Sequence, residues 1–178
     1  MPATSSKKTA LIIINPALEK RAGLNLEQLI QRFLDADQFD YDILYTKSRE
    51  EITTLSGLIE KKYQVYIVAG GDGTVNSVGR HLINSVSIMG IIPLGSGNGL
   101  ARSLKIPLKP EYAIETINSL KISVIDTGLV NGMPFLNMAG AGFDAAVAHR
   151  YSKSVRRGFM AYLMNVLALL FRYHPEDY

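Results

Sequence analysis

Short apolar runs alternate with helical patterns along the first part of the chain. Four runs rich in β-branched and aromatic residues predict strands at residues 9–15, 41–46, 64–69 and 87–94. The first, TALIIIN, is apolar almost throughout, as expected of a strand buried on both faces of a parallel sheet. The segments between the runs place apolar residues on one helical stripe. The alternation predicts an α/β fold, in which helices cover both faces of a parallel sheet.

Helix starts are marked by local signals. Ser48 and Glu51 have the spacing of a capping box, and they predict a helix that reaches about residue 62. A helical pattern resumes at residues 74–84. Pro110 suits the first turn of a helix, which we place at residues 110–120.

Later in the chain the pattern becomes that of a hairpin. Apolar runs at residues 122–130 and 135–139 predict two strands, and Asn131-Gly132 between them is a strong signal for a tight turn. A strand, a tight turn and a returning strand are typical of an antiparallel sheet. We therefore predict two parts: an α/β domain at residues 1–130 and the beginning of a second domain at residues 131–178.

The composition is that of an ordinary globular protein. Of the 178 residues, 47% are apolar and 20% are charged, and the net charge is +3. The chain has no cysteine, which excludes disulfides and thiolate metal sites and fits a reducing compartment. The first ten residues, MPATSSKKTA, lack the apolar stretch of a secretory signal. We therefore expect a cytoplasmic protein that meets a membrane, if at all, at its surface.

Two segments near the end leave alternatives open. Arg150, Lys153, Arg156 and Arg157 form a basic run, which is either a solvated helix end or a contact for phosphate or an anionic membrane. The apolar segment at residues 159–171 is shorter than the roughly 20 residues that a membrane-spanning helix needs, so it is either a buried helix or one lying on a membrane surface. Nucleic-acid binding is not expected, because the basic residues are not interleaved with stacking aromatic residues.

The strongest chemical signal is GGDGT at residues 70–74, directly after the third apolar run. Glycines in such a turn let backbone amides approach a phosphate, and the helix that follows adds partial positive charge. Asp72 can coordinate Mg²⁺ or accept a proton from an attacking hydroxyl, and Thr74 can cap the helix or donate to phosphate. The alternative is a tight strand-to-helix turn without a ligand.

A second glycine-rich segment, PLGSGNG at residues 93–99, follows the fourth apolar run. The carboxyl ends of parallel strands share one edge of the sheet, where α/β folds bind ligands. We therefore expect the turns around residues 72 and 97 to face each other across a cleft and to hold a triphosphate. Asn15 and Thr46, at the ends of the first two runs, belong to the same edge. Neither loop has the Walker A or the GxGxxG pattern.

Together these motifs resemble the catalytic domain of the diacylglycerol and sphingosine kinase family. The similarity rests on GGDGTVN from residue 70, PLGSGNGLARSL from residue 93 and IDTGLVNGMPFLNMAGAGFDAAV from residue 125. The resemblance implies a first domain similar to NAD kinases and phosphofructokinases, and a mostly β second domain that holds the lipid. It also implies an enzyme of phospholipid biosynthesis that uses ATP and Mg²⁺ to phosphorylate a diacylglycerol- or sphingosine-like hydroxyl.

The resemblance assigns roles to residues of this chain. Asp72 corresponds to the catalytic aspartate and, with Asp126, to a position linked to Mg²⁺. From the basic run, Arg156 or Arg157 would reach the nucleotide phosphates. The residues that would contact the nucleotide lie in the loops at the sheet edge: Asn15, Thr46, Gly70, Gly71, Gly73, Thr74, Gly95, Ser96, Gly97 and Asn98.

Three features depart from the family pattern. The first strand is followed by NPALEKRAG, without the Ser-Gly pair that is usual in the family. Gly99 lies where many bacterial members have aspartate, which is nearer to the sphingosine and ceramide kinase variant. The chain also stops where the second domain of the family begins. We therefore expect a truncated enzyme that binds nucleotide and turns over lipid poorly.

Two other functions stay open at this point. An NAD kinase shares GGDGT, although GSGNGLARSL and IDTGLVNG are not expected there. A nucleotide-binding module without kinase activity is consistent with the short second domain and the altered first loop. The expected partners are a lipid substrate and, transiently, a membrane surface, and the sequence leaves a homodimer open.

Overall fold

The computed structural model describes residues 7–46, 63–153 and 159–170. The helix predicted over residues 48–62 lies outside these ranges. The strands are β1 (Lys8–Ile14), β2 (Phe39–Tyr45), β3 (Val65–Gly70), β4 (Ile88–Pro93), β5 (Gly128–Val130) and β6 (Met133–Phe135). The helices are α1 (Pro16–Ala22), α2 (Leu26–Phe33), α3 (Asp72–Leu82), α4 (Gly99–Ser103), α5 (Pro110–Asn118), α6 (Phe143–Lys153) and α7 (Phe159–Leu170).

Strands β1 to β4 form a parallel sheet in the order β2-β1-β3-β4. Ile12 of β1 pairs with Ile43 of β2 on one side and with Ile67 of β3 on the other. Both central strands are buried on both faces, and all six residues of β3 are buried. Burial on both faces explains why residues 10–14 of β1 and 65–70 of β3 are almost entirely apolar, as parallel strands covered by helices on both sides are.

Two separate apolar clusters cover the faces of the sheet. On one face, Ile12 and Ile14 pack with Ile30 of α2 and Ile114 of α5. The other face carries the alternate strand residues together with helices α3 and α4; its buried members are Leu11, Ile13, Tyr66, Val68, Val75, Val78, Ile91, Leu100 and Ala101. The predicted α/β class, with helices on both faces of a parallel sheet, is confirmed.

Side-chain caps and proline set the helix ends. Asn15 caps α1, and Asn25 caps α2 through its side-chain oxygen, which accepts from the backbone N–H of Gln28 at 3.0 Å. Gly23 ends α1 in the left-handed conformation, with φ of 65°. Pro110 occupies the first turn of α5, as predicted from the sequence.

The hairpin after the sheet is shorter than predicted. The turn at Asn131 and Gly132 has φ of 50° and 74°, as an Asn-Gly hairpin requires, and Val130 pairs with Met133. The strand predicted over residues 122–130 is wrong in length, since β5 begins only at Gly128. Ile122 and Val124 are exposed, and no strand in the described part of the chain pairs with them. An alternating apolar pattern favours a strand, but it does not show whether a neighbouring strand is present to pair with it.

The chain divides into two compact units, Met1–Asn137 and Met138–Tyr178, so the β5–β6 hairpin belongs to the first. In the second unit, Val147 of α6 is buried, and the rings of Tyr151 and Tyr162 meet edge to face at 5.8 Å. Met160, Met164, Leu167 and Leu170 of α7 are exposed. The mostly β character expected of this unit stays a prediction, since only α6 and α7 are described.

Within the described residues, no helix combines the length and the apolar character needed to cross a membrane.

A pair of hydrogen bonds from one side chain joins α2 to α5. Asn118 Nδ2 donates to the carbonyl of Phe33 at 2.7 Å, and Asn118 Oδ1 accepts from the backbone N–H of Asp35 at 3.0 Å. These bonds satisfy backbone groups at the C-terminal end of α2 that the helix itself leaves without partners.

We therefore expect Asn118→Ala to lower the free energy of unfolding by about 1–3 kcal/mol, because two partly buried backbone groups lose their partners. Urea unfolding of the full chain measures the change. Ser119→Ala is the matched control, since it removes one exposed hydroxyl that bonds within α5's own end, to the carbonyl of Thr116. Equal stability of the two variants would show that Asn118 does not connect the helices energetically.

Candidate nucleotide site

The carboxyl ends of the parallel strands lie side by side. Ile14 at the end of β1 pairs with Ala69 of β3, and Gly70 at the end of β3 pairs with Pro93 at the end of β4. The loops that follow β1, β3 and β4 therefore start at one edge of the sheet. The expectation that the glycine-rich segments share an edge is confirmed, whereas the ligand roles of their residues stay predictions.

Asn15 connects the first loop to the GGDGT turn. Its Oδ1 accepts from the backbone N–H groups of Ala17 and Leu18 at 3.1 and 3.3 Å, and its Nδ2 donates to Thr74 Oγ1 at 3.3 Å. Thr74 is buried and packs back on Gly70, where a Cβ would lie 2.6 Å from the Thr74 Cβ. Residue 70 must therefore be glycine, and Asn15 and Thr74 fix the turn from the inside.

Thr46, directly after β2, is also an internal residue. Its side chain is buried, and its hydroxyl donates to the carbonyl of Ile14 at 3.3 Å, while its backbone N–H donates to the same oxygen at 3.0 Å. Thr46 thus ties the end of β2 to the end of β1. Thr46 therefore lies at the expected edge of the sheet, where its hydroxyl bonds to the protein, and a contact with a nucleotide stays a prediction.

The second glycine loop is closed by Asn98. This residue is buried and left-handed, with φ of 52°, and its side chain turns into its own loop. Asn98 Oδ1 accepts from the N–H of Gly95 at 2.8 Å, and Asn98 Nδ2 donates to the carbonyl of Gly95 at 2.7 Å. Arg102 Nε donates to the carbonyl of Gly97 at 2.8 Å. Ser96 and Gly97, at the tip, remain exposed.

The two glycine loops are joined by Asp72. Its Oδ2 accepts from the N–H of Asn98 at 2.9 Å, and its Oδ1 accepts from the N–H of Gly99 at 2.6 Å. Charge-assisted bonds of this kind are stronger than those between neutral groups. The backbones also meet directly, since a Cβ on Gly95 would lie 2.8 Å from the Gly71 Cα. Glycine is needed at residue 95 because no side chain fits between the loops.

This contact corrects one expectation. The turns around residues 72 and 97 do not face each other across an open cleft, because the Asp72 carboxylate and the glycine backbones bring them into contact. The surface available to a phosphate is therefore the outer rim of the joined loops. Sequence spacing predicts that two loops share an edge, but their separation depends on a bond between a side chain and the backbone, which spacing does not report.

The rim carries backbone N–H groups with partial positive charge and one negatively charged carboxylate. The first turn of α3 presents backbone N–H groups that have no partner inside the helix, and its dipole favours an anion there. Asp72 is exposed, and each of its oxygens accepts one bond, which leaves each a further lone pair. The site can therefore bind an anion through amides and a cation or a proton through one carboxylate.

Two predicted residues are not brought to this rim by any described contact. Asp126 is exposed on the segment before β5. Across residues 7–46, 63–153 and 159–170, no group of three or more His, Asp or Glu side chains gathers to hold a metal ion. Arg156 lies outside the described residues. The pairing of Asp72 with Asp126 at Mg²⁺, and the contact of Arg156 with phosphate, stay predictions.

A cavity of about 410 Å³ opens beside the end of β2, and no residue of the two glycine loops lines it. It is lined by Glu19, Lys20, Leu24, Asn25, Glu27 and Tyr45. Partial burial, followed by the bond that its hydroxyl donates to Glu27 at 2.8 Å, raises the pKa of Tyr45 to about 12. The two carboxylates outnumber Lys20, and the Tyr45 hydroxyl already donates to Glu27, so the cavity does not favour phosphate and we assign the site from the loops.

Asn137 is a residue at the site to which the sequence analysis assigned no role. It follows β6, and its Oδ1 accepts from the Ser103 hydroxyl at 3.4 Å, while its Nδ2 lies against Gly99. In the sequence, Asn137 could have been noticed as the polar residue directly after the apolar run MPFL. The signal is weak, because nothing in the spacing predicts that the hairpin end reaches α4.

The model for the diacylglycerol kinase catalytic domain matches residues 9–130 of the chain. Among curated proteins, the diacylglycerol kinase of Bacillus subtilis is 28% identical over 176 residues, which are 96% of this chain and 58% of the relative. The diacylglycerol kinase of Staphylococcus saprophyticus is 32% identical over 143 residues, which are 76% of this chain and 46% of the relative.

The same similarity is found among solved structures. The crystal structure of a diacylglycerol kinase from Bacillus anthracis strain Sterne superposes with a TM-score of 0.63 at 27% identity, over 74% of this chain and 46% of that one. The chain spans about half the length of the curated relatives it matches.

From the loop contact we predict that Asp72→Asn destabilises the fold. An amide in place of the carboxylate loses one acceptor and turns an N–H donor toward a backbone N–H, which should cost about 1–3 kcal/mol. Urea unfolding gives the value. Glu111→Gln removes a charge from the first turn of α5 and serves as the control for the helix dipole alone. If both variants lose the same stability, Asp72 does not hold the loops together.

Proposed function

Because the chain belongs to the diacylglycerol kinase catalytic domain family, we propose that it forms the nucleotide-binding part of an ATP-dependent lipid kinase. The reaction transfers the γ-phosphoryl group of ATP to the hydroxyl of a diacylglycerol- or sphingosine-like lipid. The observation that carries this proposal is the joined pair of glycine loops at the carboxyl edge of the sheet, within the residues that the family model matches.

In this proposal the triphosphate lies on the rim of the joined loops. Backbone N–H groups at Gly71, Gly73 and Thr74 donate to phosphate oxygens, and the dipole of α3 adds to the attraction. Ser96 and Gly97, exposed at the tip of the second loop, border the same rim. Gly73 is half-buried and Gly97 is exposed, and a phosphate can approach both closely because neither has a Cβ.

Asp72 suits a magnesium ion that is shared with the nucleotide. Mg²⁺ in phosphoryl-transfer sites is usually held by one or two carboxylates together with phosphate oxygens and water. An exposed carboxylate with a spare lone pair on each oxygen meets that demand. An ion held there would supply positive charge to the phosphates. By family resemblance, Asp126 is a further candidate for holding the ion, and Arg156 is a further candidate for contacting the phosphates.

Asp72 is also the proposed acceptor of the substrate proton. The lipid oxygen forms a bond to the γ-phosphorus, the bond from that phosphorus to the oxygen that bridges it to ADP breaks, and the hydroxyl proton passes to Asp72. Positioning and charge neutralisation supply most of the rate, because phosphoryl transfer requires little covalent chemistry from the protein. A lipid substrate also implies transient contact with a membrane surface.

One observation favours a second candidate, a nucleotide-binding module without kinase activity. Asp72, the proposed proton acceptor, is already engaged with two backbone amides. A nucleotide would bind to such a module without being consumed.

Nucleotide binding is tested by calorimetry on the full chain with ATP and MgCl₂. We expect one site, and we expect Gly95→Ala to weaken binding by about tenfold because a Cβ at residue 95 forces the two loops apart. Gly140→Ala is the control, since its Cβ would meet Asp144 at an ordinary 3.7 Å. Absence of ATP binding by the wild-type chain would contradict the proposal.

Kinase activity is tested with γ-labelled ATP and mixed micelles that contain diacylglycerol or sphingosine. We expect label in the lipid, and a fall of about 100-fold or more in Asp72→Asn if Asp72 accepts the proton. The transfer rates are compared after correction for the folded fraction. Binding of ATP without transfer to any lipid would favour the module, and label on NAD instead would favour an NAD kinase.

A further inference from the structure

Gly99, the first residue of α4, is a glycine whose backbone does not require one. Its φ is not among the positive values recorded at Gly23, Gly132 and Gly142. Alanine is normally preferred over glycine within a helix. Backbone conformation therefore does not explain why residue 99 is glycine.

That space is taken by the side chain of Asn137. A Cβ at residue 99 would lie 2.5 Å from Asn137 Nδ2 and 3.5 Å from Asp72 Oδ1. The first distance is too short for any real contact, whereas the second is ordinary. The carboxamide of Asn137 therefore fills the volume that a side chain at residue 99 would use, and it borders Asp72 at the joined loops.

One hydrogen bond orients the amide, and the residue before it is anchored by packing. The Ser103 hydroxyl donates to Asn137 Oδ1 at 3.4 Å, which leaves Nδ2 toward Gly99. The preceding residue, Leu136, packs so closely on Gly79 of α3 that a Cβ there would lie 2.7 Å from the Leu136 Cδ2. Asn137 is thus anchored to the same helix that begins with Asp72.

An exposed carboxamide beside a carboxylate offers a specific chemistry. Nδ2 carries two N–H donors and no charge. It can donate to a phosphate oxygen without competing with a cation for Asp72, whereas a second carboxylate at this place would repel the phosphate.

We propose that Asn137 is a phosphate-binding residue, which donates from Nδ2 to the phosphate chain next to Asp72. This inference rests on the proposed function, since it requires a phosphate at the rim of the joined loops. Gly99 and Ser103 then act as positioning residues: the first leaves room for the amide, and the second orients it.

The affinity test uses calorimetry with ATP and with AMP on the full chain. Asn137→Ala should weaken ATP binding by about fivefold, the effect of one lost hydrogen bond, and should leave AMP binding within about twofold. Asn137→Asp should weaken ATP binding further, because it adds a negative charge beside the phosphates. If Asn137 only packs, Asn137→Asp should weaken ATP binding less than Asn137→Ala does, because aspartate keeps the shape of asparagine. Asn131→Gly removes an exposed amide from the same hairpin and should change neither affinity.

A stability cycle tests the packing without any ligand. In the wild-type chain, Gly99→Ala should not raise the thermal midpoint, because the new Cβ displaces the end of the Asn137 side chain and this offsets the helix preference for alanine. In an Asn137→Gly background the same change should raise the midpoint by about 2 °C, since the amide is absent. An equal change in both backgrounds would overturn the assignment of the amide to this volume.

The outcomes separate the two claims. If the wild-type chain does not bind ATP, the proposed function fails and the inference fails with it. If the wild-type chain binds ATP, and both Asn137→Ala and Asn137→Asp bind it as tightly as the wild type does, the inference alone is overturned. Weaker ATP binding in both variants, with the larger loss in Asn137→Asp, supports it.

Discussion

The carboxylate of Asp72 accepts one backbone N–H on each oxygen, and the shape of the ligand edge depends on these two bonds. They bring the loop of residues 95–99 onto the start of α3. The contact excludes a side chain at Gly95 and leaves little room for one at Gly71, where the backbones touch. Asn15, Thr74 and the side chain of Asn98 hold each loop from the inside. The glycines thus serve a packing requirement of the protein, and the same bare backbone is what a phosphate needs.

This arrangement gives Asp72 two tasks that a substitution removes together. Its carboxylate stabilises the loops, and in the proposed kinase it also holds Mg²⁺ and receives a proton. The two tasks are compatible because each oxygen uses only one lone pair on the protein. Loss of activity in an Asp72 variant is therefore informative only beside its stability. Asn137 has a comparable position: it touches α4 and borders Asp72, and in the proposal its uncharged amide donates to a phosphate that a carboxylate at the same place would repel.

The fold could be predicted from the sequence because parallel strands buried on both faces are almost entirely apolar, as the stretches ALIII and VYIVAG are. The placing of both glycine loops at one edge followed from strand direction alone. What could not be predicted depends on individual side chains. The Asp72 bonds close the expected cleft, Asn98 turns inward because its amide matches both backbone groups of Gly95, and β5 is short because residues 122–127 have no strand beside them in the described part of the chain.

In the proposed function, one rim, formed by the loops that Asp72 joins, receives the phosphates of ATP. Backbone amide NMR of the ¹⁵N-labelled full chain, titrated with ATP and MgCl₂, can locate that contact. We expect the largest shifts on the amides of Gly71, Gly73, Ser96 and Gly97, while Asn98 and Gly99 keep the protection of their bonds to Asp72. Shifts that cluster instead around the cavity at Glu19, Glu27 and Tyr45, with the glycine loops unchanged, would contradict it.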